Sequence, residues 1–169
     1  MRDKSVMQID RRTLLAGGAT AAIVGIAATL PGRGADAQPG RFPYRLTDAQ
    51  WRQRLNASQY AVLRQASTER PGSSPLDREH RRGTFACAGC GNRLFASTTK
   101  FDSGTGWPSF YRPLPGAVVT RDDNGLLGRR TEVLCARCGG HLGHVFNDGP
   151  RPTGLRYCMN GVAMSFRAG

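Results

Sequence analysis

The chain of 169 residues has no long internal repeat, and after Gly83 it has no segment with the apolar spacing of a helix. The first absence excludes repeat architectures such as solenoids, which are built from stacked copies of one unit. The second excludes an alternation of strands and helices in the C-terminal half. Acidic residues are also scarce, with 12 Asp and Glu against 24 Lys and Arg, so the formal net charge is +12.

A long apolar run lies near the N-terminus, between residues 14 and 30. It follows the paired arginines Arg11 and Arg12 and precedes the small-residue motif Ala35-Asp36-Ala37. A basic start, an apolar middle and an A-x-A motif are the three parts of a secretory signal peptide, and paired arginines indicate the twin-arginine export route. An uncleaved membrane anchor is the alternative, because a run of 17 residues is close to the minimum that spans a bilayer. We predict that residues 1–37 are a twin-arginine signal peptide and that the protein is periplasmic.

Residues 38–169 are predicted to form a single domain, since 132 residues are enough for one core. They carry 19 Lys and Arg against 9 Asp and Glu, a net charge of +10. A basic surface is typical of proteins that bind nucleic acids or membranes. Export argues against nucleic acid, and most of the arginines are scattered along the chain. We therefore predict a solvated basic surface, no nucleic-acid partner and no stable membrane association after cleavage of the signal peptide.

One or two amphipathic helices are predicted after Thr47, which is a suitable N-cap. Residues 56–58 predict a break followed by a new cap. The apolar positions of this region are Trp51, Leu55, Tyr60 and Leu63.

Short apolar or aromatic segments follow Gly83, separated by Gly, Pro, Asn and Asp at short intervals. This pattern is typical of antiparallel β structure. The pair Asn124-Gly125 is the strongest hairpin signal in the chain. The sequence therefore predicts a mainly β fold preceded by helices.

Four of the five cysteines form two C-x-x-C motifs, Cys87 with Cys90 and Cys135 with Cys138, each followed by glycine. Two such turns can direct four sulfurs at one point, which suits a structural zinc ion with no open coordination position. A disulfide framework is the alternative in an exported protein. A redox-active C-x-x-C is a further alternative, but the βαβ setting that it requires is absent from the pattern.

The fifth cysteine, Cys158, has no partner in this arrangement. Such a cysteine is a buried bystander, an intermolecular link or a reactive thiol. In a strand, Arg156, Cys158 and Asn160 would project from one face, and a nearby cation favours the nucleophilic thiolate. These neighbours favour a reactive thiol.

Two of the three histidines, His141 and His144, lie between the second cysteine pair and Cys158. Histidine is the usual proton donor or acceptor near neutral pH, although either residue is also a candidate zinc ligand. Asp148 is predicted either to orient a histidine or to form a turn. Trp107 lies in a turn-rich aromatic segment, where loops often bind ligands, and from the residues alone a core position is favoured for it.

Taken together, the motifs "CAGCG", "KFDSGTGWPSF", "CARCGGHLGHVFNDGP" and "GLRYCMNG" resemble those of the B-type methionine-R-sulfoxide reductases. The resemblance covers roughly residues 79–166. It implies two antiparallel sheets in a tent-like arrangement with helices on the N-terminal side, and one structural zinc ion on the paired cysteines.

The resemblance also implies roles for the remaining motif residues. Cys158 would be the nucleophile that reduces protein-bound or free methionine-R-sulfoxide, passing through a sulfenic acid. His144 would lie beside the sulfoxide oxygen, and Trp107 would contact the methyl group on the substrate sulfur. The other positions that would bind or polarise the substrate are His141, Phe146, Asp148, Arg156 and Asn160.

One departure from the family is Thr105, where many relatives have a second cysteine that resolves the sulfenic acid. Threonine cannot form a disulfide, so the sequence predicts regeneration by a thioredoxin-like protein or a small thiol. Gly161 also departs from the family pattern, and the chain is expected to be monomeric. Two rival functions remain, a zinc-ribbon module that binds an anionic partner and a thiol–disulfide oxidoreductase that uses one C-x-x-C.

Overall fold

The structure is a computed structural model that describes residues 42–125 and 128–169. The predicted signal peptide, residues 1–37, lies outside these ranges. Two helices, α1 (Asp48–Arg54) and α2 (Ala57–Gln65), precede the strands. The strands are β1 (Gly83–Cys87), β2 (Arg93–Ala96), β3 (Lys100–Phe101), β4 (Ser109–Phe110), β5 (Val118–Gly125), β6 (Gly128–Cys135), β7 (His141–Phe146), β8 (Arg156–Met159) and β9 (Met164–Ala168). Short 3-10 turns span Pro75–Arg78, Ser97–Thr99 and Gly161–Ala163.

Both helices begin at a capping box. Thr47 caps α1 with Gln50, and Asn56 caps α2 with Gln59. Each cap satisfies amide groups that have no partner within the helix, which explains why the chain breaks and restarts at Asn56. The four apolar positions predicted for this region, Trp51, Leu55, Tyr60 and Leu63, are all buried.

The strands form two antiparallel sheets, which confirms the predicted fold class. The smaller sheet has the order β2-β1-β9, and the larger has the order β3-β4-β8-β7-β6-β5. Phe85 and Phe95 of the smaller sheet pack against Phe110 of the larger one, with ring centroids 4.9 and 4.3 Å apart. All three side chains have no exposed surface, so the core lies between the sheets.

The predicted hairpin joins β5 and β6, but its turn lies beyond the Asn-Gly pair. Asn124 pairs with Arg129 and Gly125 with Gly128, so both residues belong to the ladder. Ion pairs of Arg129 with Asp122 (3.0 Å) and of Arg130 with Asp123 (2.7 Å) stabilise this longer ladder. Residues 126 and 127, which connect the strands, lie outside the described ranges.

Within the described residues, the helices are too short and too polar to cross a lipid bilayer.

Candidate active site and metal centre

Cys158 lies in the middle of the larger sheet, on β8. Its cross-strand partners are Ser109 of β4 on one side and His144 of β7 on the other. Directly opposite residues of an antiparallel pair project from the same face with their Cβ atoms about 5 Å apart. His144 is in turn paired with Glu132 of β6. Strand register therefore places a thiol, an imidazole and a carboxylate side by side.

A cavity of about 200 Å³ opens over Cys158 and His144. Five residues named from the sequence line it: Trp107, His144, Phe146, Cys158 and Asn160. Its other lining residues, Thr68, Arg130 and Gly143, were not predicted from the sequence. No short-range pattern marks Thr68 or Arg130, because each reaches the cavity from a distant segment.

Gly143 has to lack a side chain, because a Cβ atom there would overlap the carbonyl oxygen of Cys158. Its φ of +156° is also one that other residues rarely adopt. This glycine lets β7 and β8 approach closely, which keeps His144 beside Cys158.

His141 reaches the same face as His144 because β7 contains a bulge. Val133 pairs with Gly143, whereas the next residue, Leu134, pairs with His141, so β7 has one extra residue at this point. Residues three apart in a regular strand would face opposite sides. The bulge brings the two imidazole rings to a centroid distance of 5.4 Å.

His141 does not line the cavity that contains Cys158. It is 4% exposed, and its Nδ1 atom lies 2.7 Å from Glu132 Oε1. It borders a neighbouring cavity of about 210 Å³, which His144 and Arg130 also line. The structure therefore places His141 next to His144 but outside the cavity over Cys158.

Asp148 contacts an arginine rather than a histidine. Its two carboxylate oxygens accept bonds of 2.9 and 2.7 Å from Arg156, so of the two predicted alternatives the structure does not show the one in which Asp148 orients a histidine. The acids that contact the histidines are Glu132 for His141 and Asp123 for His144. Both acids lie on strands that the sequence analysis did not connect to the site, and cross-strand pairing alone brings them there.

The surroundings of His144 favour its neutral imidazole form. Burial lowers its pKa below the ordinary histidine value, and the hydrogen bond to Asp123 only partly opposes this effect. Its Nε2 atom lies 2.9 Å from Asp123 Oδ2. A carboxylate can only accept, so Nε2 carries the ring proton and Nδ1 is left as an acceptor.

Burial also raises the pKa of the Cys158 thiol, and this effect outweighs the hydrogen bond from Thr105 and the charge of Arg156. Arg156 does favour the thiolate, as expected, but burial is the larger effect. The carboxylate of Asp148 already pairs with Arg156 and offsets its charge. Cys158 is consequently a thiol at neutral pH.

A chain of hydroxyl groups lies beside Cys158. Thr105 Oγ1 is 3.8 Å from the Cys158 sulfur and 2.8 Å from Ser103 Oγ. Ser103 Oγ is in turn 2.7 Å from Ser109 Oγ, which donates to the Trp107 carbonyl at 3.1 Å. Thr105 therefore occupies the position from which a second thiol would reach Cys158.

The four paired cysteines form a separate buried cluster. Their sulfur atoms all lie within 4.8 Å of one another, with Cys87 and Cys138 separated by 3.7 Å and Cys90 and Cys135 by 3.6 Å. Tetrahedral coordination with metal–sulfur bonds of about 2.3 Å requires sulfur separations of about 3.8 Å. The cluster fits a tetrahedral metal ion.

Both C-x-x-C turns have the same backbone form. The amide of Gly91 donates to the Cys87 carbonyl, and the amide of Gly139 donates to the Cys135 carbonyl, each at 2.8 Å. The two glycines have φ angles of +73° and +68°, which explains why glycine follows each pair. Because all four sulfurs belong to one cluster, neither pair is arranged as an independent redox motif.

Comparisons with known proteins agree with this site. The family model described as "SelR domain" matches residues 55–168. A protein of Bradyrhizobium diazoefficiens is 56% identical over 121 residues, covering 70% of this chain and 86% of that protein. A protein of Leifsonia xyli is 54% identical over 134 residues, covering 78% of this chain and 96% of that protein. Both relatives carry the name peptide methionine sulfoxide reductase MsrB. The chain therefore belongs to the SelR family of B-type methionine sulfoxide reductases.

Proposed function

We propose that this protein reduces methionine-R-sulfoxide to methionine, in oxidised proteins and as the free amino acid, and so repairs oxidised proteins. The observation that carries the proposal is the cavity over Cys158, which combines a nucleophile, a proton-transfer group and an aromatic wall. Its volume of about 200 Å³ suits one side chain. The name shared by the relatives supports the same reaction.

The first step is attack of the Cys158 sulfur on the sulfoxide sulfur. This attack forms a sulfur–sulfur bond. The substrate oxygen then moves to the Cys158 sulfur: its bond to the substrate sulfur breaks, the transient sulfur–sulfur bond breaks with its electron pair staying on methionine, and Cys158 is left as a sulfenic acid. His144 is neutral at rest, so it first accepts a proton, and the neighbouring Cys158 thiol supplies one. The resulting imidazolium then donates this proton to the sulfoxide oxygen.

Two further side chains orient the substrate. Trp107 is half-buried and anchored, since its indole Nε1 donates to the Glu69 carbonyl at 3.2 Å. An anchored indole can hold the substrate methyl group on one side while His144 holds the oxygen, and this division selects one epimer. Asn160 Nδ2 is fixed by the Leu142 carbonyl at 3.1 Å and borders the same cavity.

Regeneration requires an external thiol, because Thr105 lies where a resolving cysteine would be. One thiol of the reductant attacks the sulfenic acid, releases water and forms a mixed disulfide. A second thiol then frees Cys158 and leaves the reductant as a disulfide. A thioredoxin-like periplasmic protein or a small thiol would serve, and the enzyme acts as a monomer.

A single-turnover reaction without reductant tests the proposal. With the R epimer, we expect one methionine per chain and the loss of one free thiol, with one oxygen added to Cys158. With the S epimer, we expect no methionine above background. Equal turnover of the two epimers would exclude the orienting role of Trp107, and a disulfide in the wild-type chain would exclude the external reductant.

The variant Thr105→Cys is expected to form an internal disulfide in the same reaction. Thr105 Oγ1 lies 3.8 Å from the Cys158 sulfur, so a cysteine sulfur at this position would face it, and the two side chains need only move together to form a bond of about 2.0 Å. Non-reducing mass spectrometry should show two thiols lost per turnover in place of one. Thr98→Cys is the matched control, because Thr98 is exposed and does not line the cavity. If both variants behave alike, Thr105 does not occupy the resolving position.

The metal in the cysteine cluster is proposed to be zinc, which favours four thiolate ligands in tetrahedral geometry. Because four sulfurs fill every position, the ion would hold structure and take no part in sulfoxide reduction.

The N-terminal motifs lead us to propose export by the twin-arginine route and a periplasmic location. Residues 1–37 would be removed after Ala37. Recovery of a chain beginning at Gln38 from a periplasmic extract would support this assignment, whereas a full-length chain in the membrane fraction would contradict it.

A further inference from the structure

Glu69 lies between α2 and β1, and its main chain contacts two side chains of the cavity. Its amide donates to Asn160 Oδ1 at 2.9 Å, and its carbonyl accepts from Trp107 Nε1 at 3.2 Å. Asn160 and Trp107 come from distant parts of the chain and both border the cavity over Cys158. The main chain of a single residue therefore joins two of its walls.

The Glu69 side chain attaches this residue to the segment that follows Cys158. Its carboxylate accepts hydrogen bonds from the amides of Gly161 and Val162, the latter at 3.0 Å. These two amides begin the 3-10 turn Gly161–Ala163. Amides in the first turn of such a segment have no partner within it, so a carboxylate satisfies both at once.

Gly161 permits this arrangement because it lacks a side chain. A Cβ atom there would overlap Ser74 Oγ and would lie 3.3 Å from Glu69 Oε1. The departure from the family pattern at Gly161 is thus matched by close packing of Ser74 and Glu69 against the turn.

We propose that Glu69 is a positioning residue for the sulfoxide reduction proposed above, setting Trp107 and Asn160 in place relative to Cys158. Its amide contacts Asn160, its carbonyl contacts Trp107, and its carboxylate contacts the turn that follows Cys158. Burial raises the pKa of Glu69 above the ordinary value, so the charged form is costly at this place. A neutral residue would avoid that cost but would accept fewer hydrogen bonds.

The test compares Glu69→Gln with the matched control Asp77→Asn. Glutamine keeps the shape but replaces one acceptor oxygen by an NH₂ group, which would face an amide donor. Asp77 is a nearby acid of the same connection that does not line the cavity over Cys158, and its amide donates to the Ser74 carbonyl. The readout is kcat/KM for methyl and for ethyl R-sulfoxides, together with thermal unfolding of each variant.

For Glu69→Gln we expect kcat/KM with the methyl sulfoxide to fall about tenfold, as for the loss of one charge-assisted hydrogen bond. The fall should be mainly in KM and should be smaller for the ethyl sulfoxide, because a displaced Trp107 no longer fits the methyl group closely. Asp77→Asn should keep the wild-type values. Glu69→Asp, which keeps the charge but is too short to reach both amides, should give an intermediate loss.

Equal losses for the methyl and ethyl substrates, or wild-type kinetics in both Glu69 variants, would overturn the positioning role. These outcomes are distinct from failure of the proposed function, in which the wild-type chain itself would not reduce either sulfoxide.

Discussion

Replacing Cys158 by serine is expected to lower methionine-R-sulfoxide reduction by roughly 10³-fold or more, as for loss of other catalytic nucleophiles. A serine hydroxyl fits the space beside Thr105 and His144, but it cannot attack sulfur or carry the oxygen as a sulfenic acid. The measurement is the rate at which the R epimer is converted to methionine with a chemical dithiol in excess. Because serine is smaller and polar, the site itself should keep its shape.

The controls for Cys158→Ser are the metal content and the thermal stability of the variant. The other four cysteines belong to the buried cluster, so metal content should stay at the wild-type value and the thermal midpoint should change little. Activity within about tenfold of the wild type would show that another group attacks the sulfoxide.

Replacing a cysteine of the cluster, Cys135→Ser, is expected to lower the stability and the metal content, which Cys158→Ser leaves unchanged. Cys135 has no exposed surface and ends β6 of the larger sheet, whereas Cys87 ends β1 of the smaller sheet. A metal ion held by the cluster would therefore link the two sheets, and its loss would leave buried thiols without their common partner. We expect the free energy of unfolding to fall by roughly 3 kcal/mol or more, which lowers the midpoint by roughly 10 °C.

Elemental analysis and calorimetry check this prediction. Wild-type protein and Cys158→Ser should each contain one equivalent of zinc, and Cys135→Ser should contain much less. A wild-type protein without metal but with two disulfides would support the disulfide framework instead. An unchanged midpoint in Cys135→Ser would show that the cluster does not link the sheets.

Features that depend on neighbouring residues could be predicted from the sequence. The break between the helices follows from the cap at Asn56, and the two metal-binding turns follow from C-x-x-C-G, because each involves hydrogen bonds over two to four residues. The fifth cysteine was identified by counting sulfurs. Motif resemblance then indicated five of the residues that line the cavity.

Features that depend on register could not be predicted in this way. His141 and His144 share a face only because β7 has an extra residue opposite Val133 and Leu134. Asp148 is close in sequence to His144, yet it pairs with Arg156. Glu69 has no motif of its own, and its contacts with residues 160–162 span more than ninety positions.

By itself, the sequence determined the mainly β architecture, the division of the cysteines into four and one, and the residue types available for sulfoxide chemistry. The tertiary structure alone decided which acid contacts which histidine, that Cys158 rests as a thiol, and which loop holds Trp107. The physical reason is that composition and short-range hydrogen bonds act within a few residues, whereas burial and cross-strand register depend on segments that meet only when the sheets pack together.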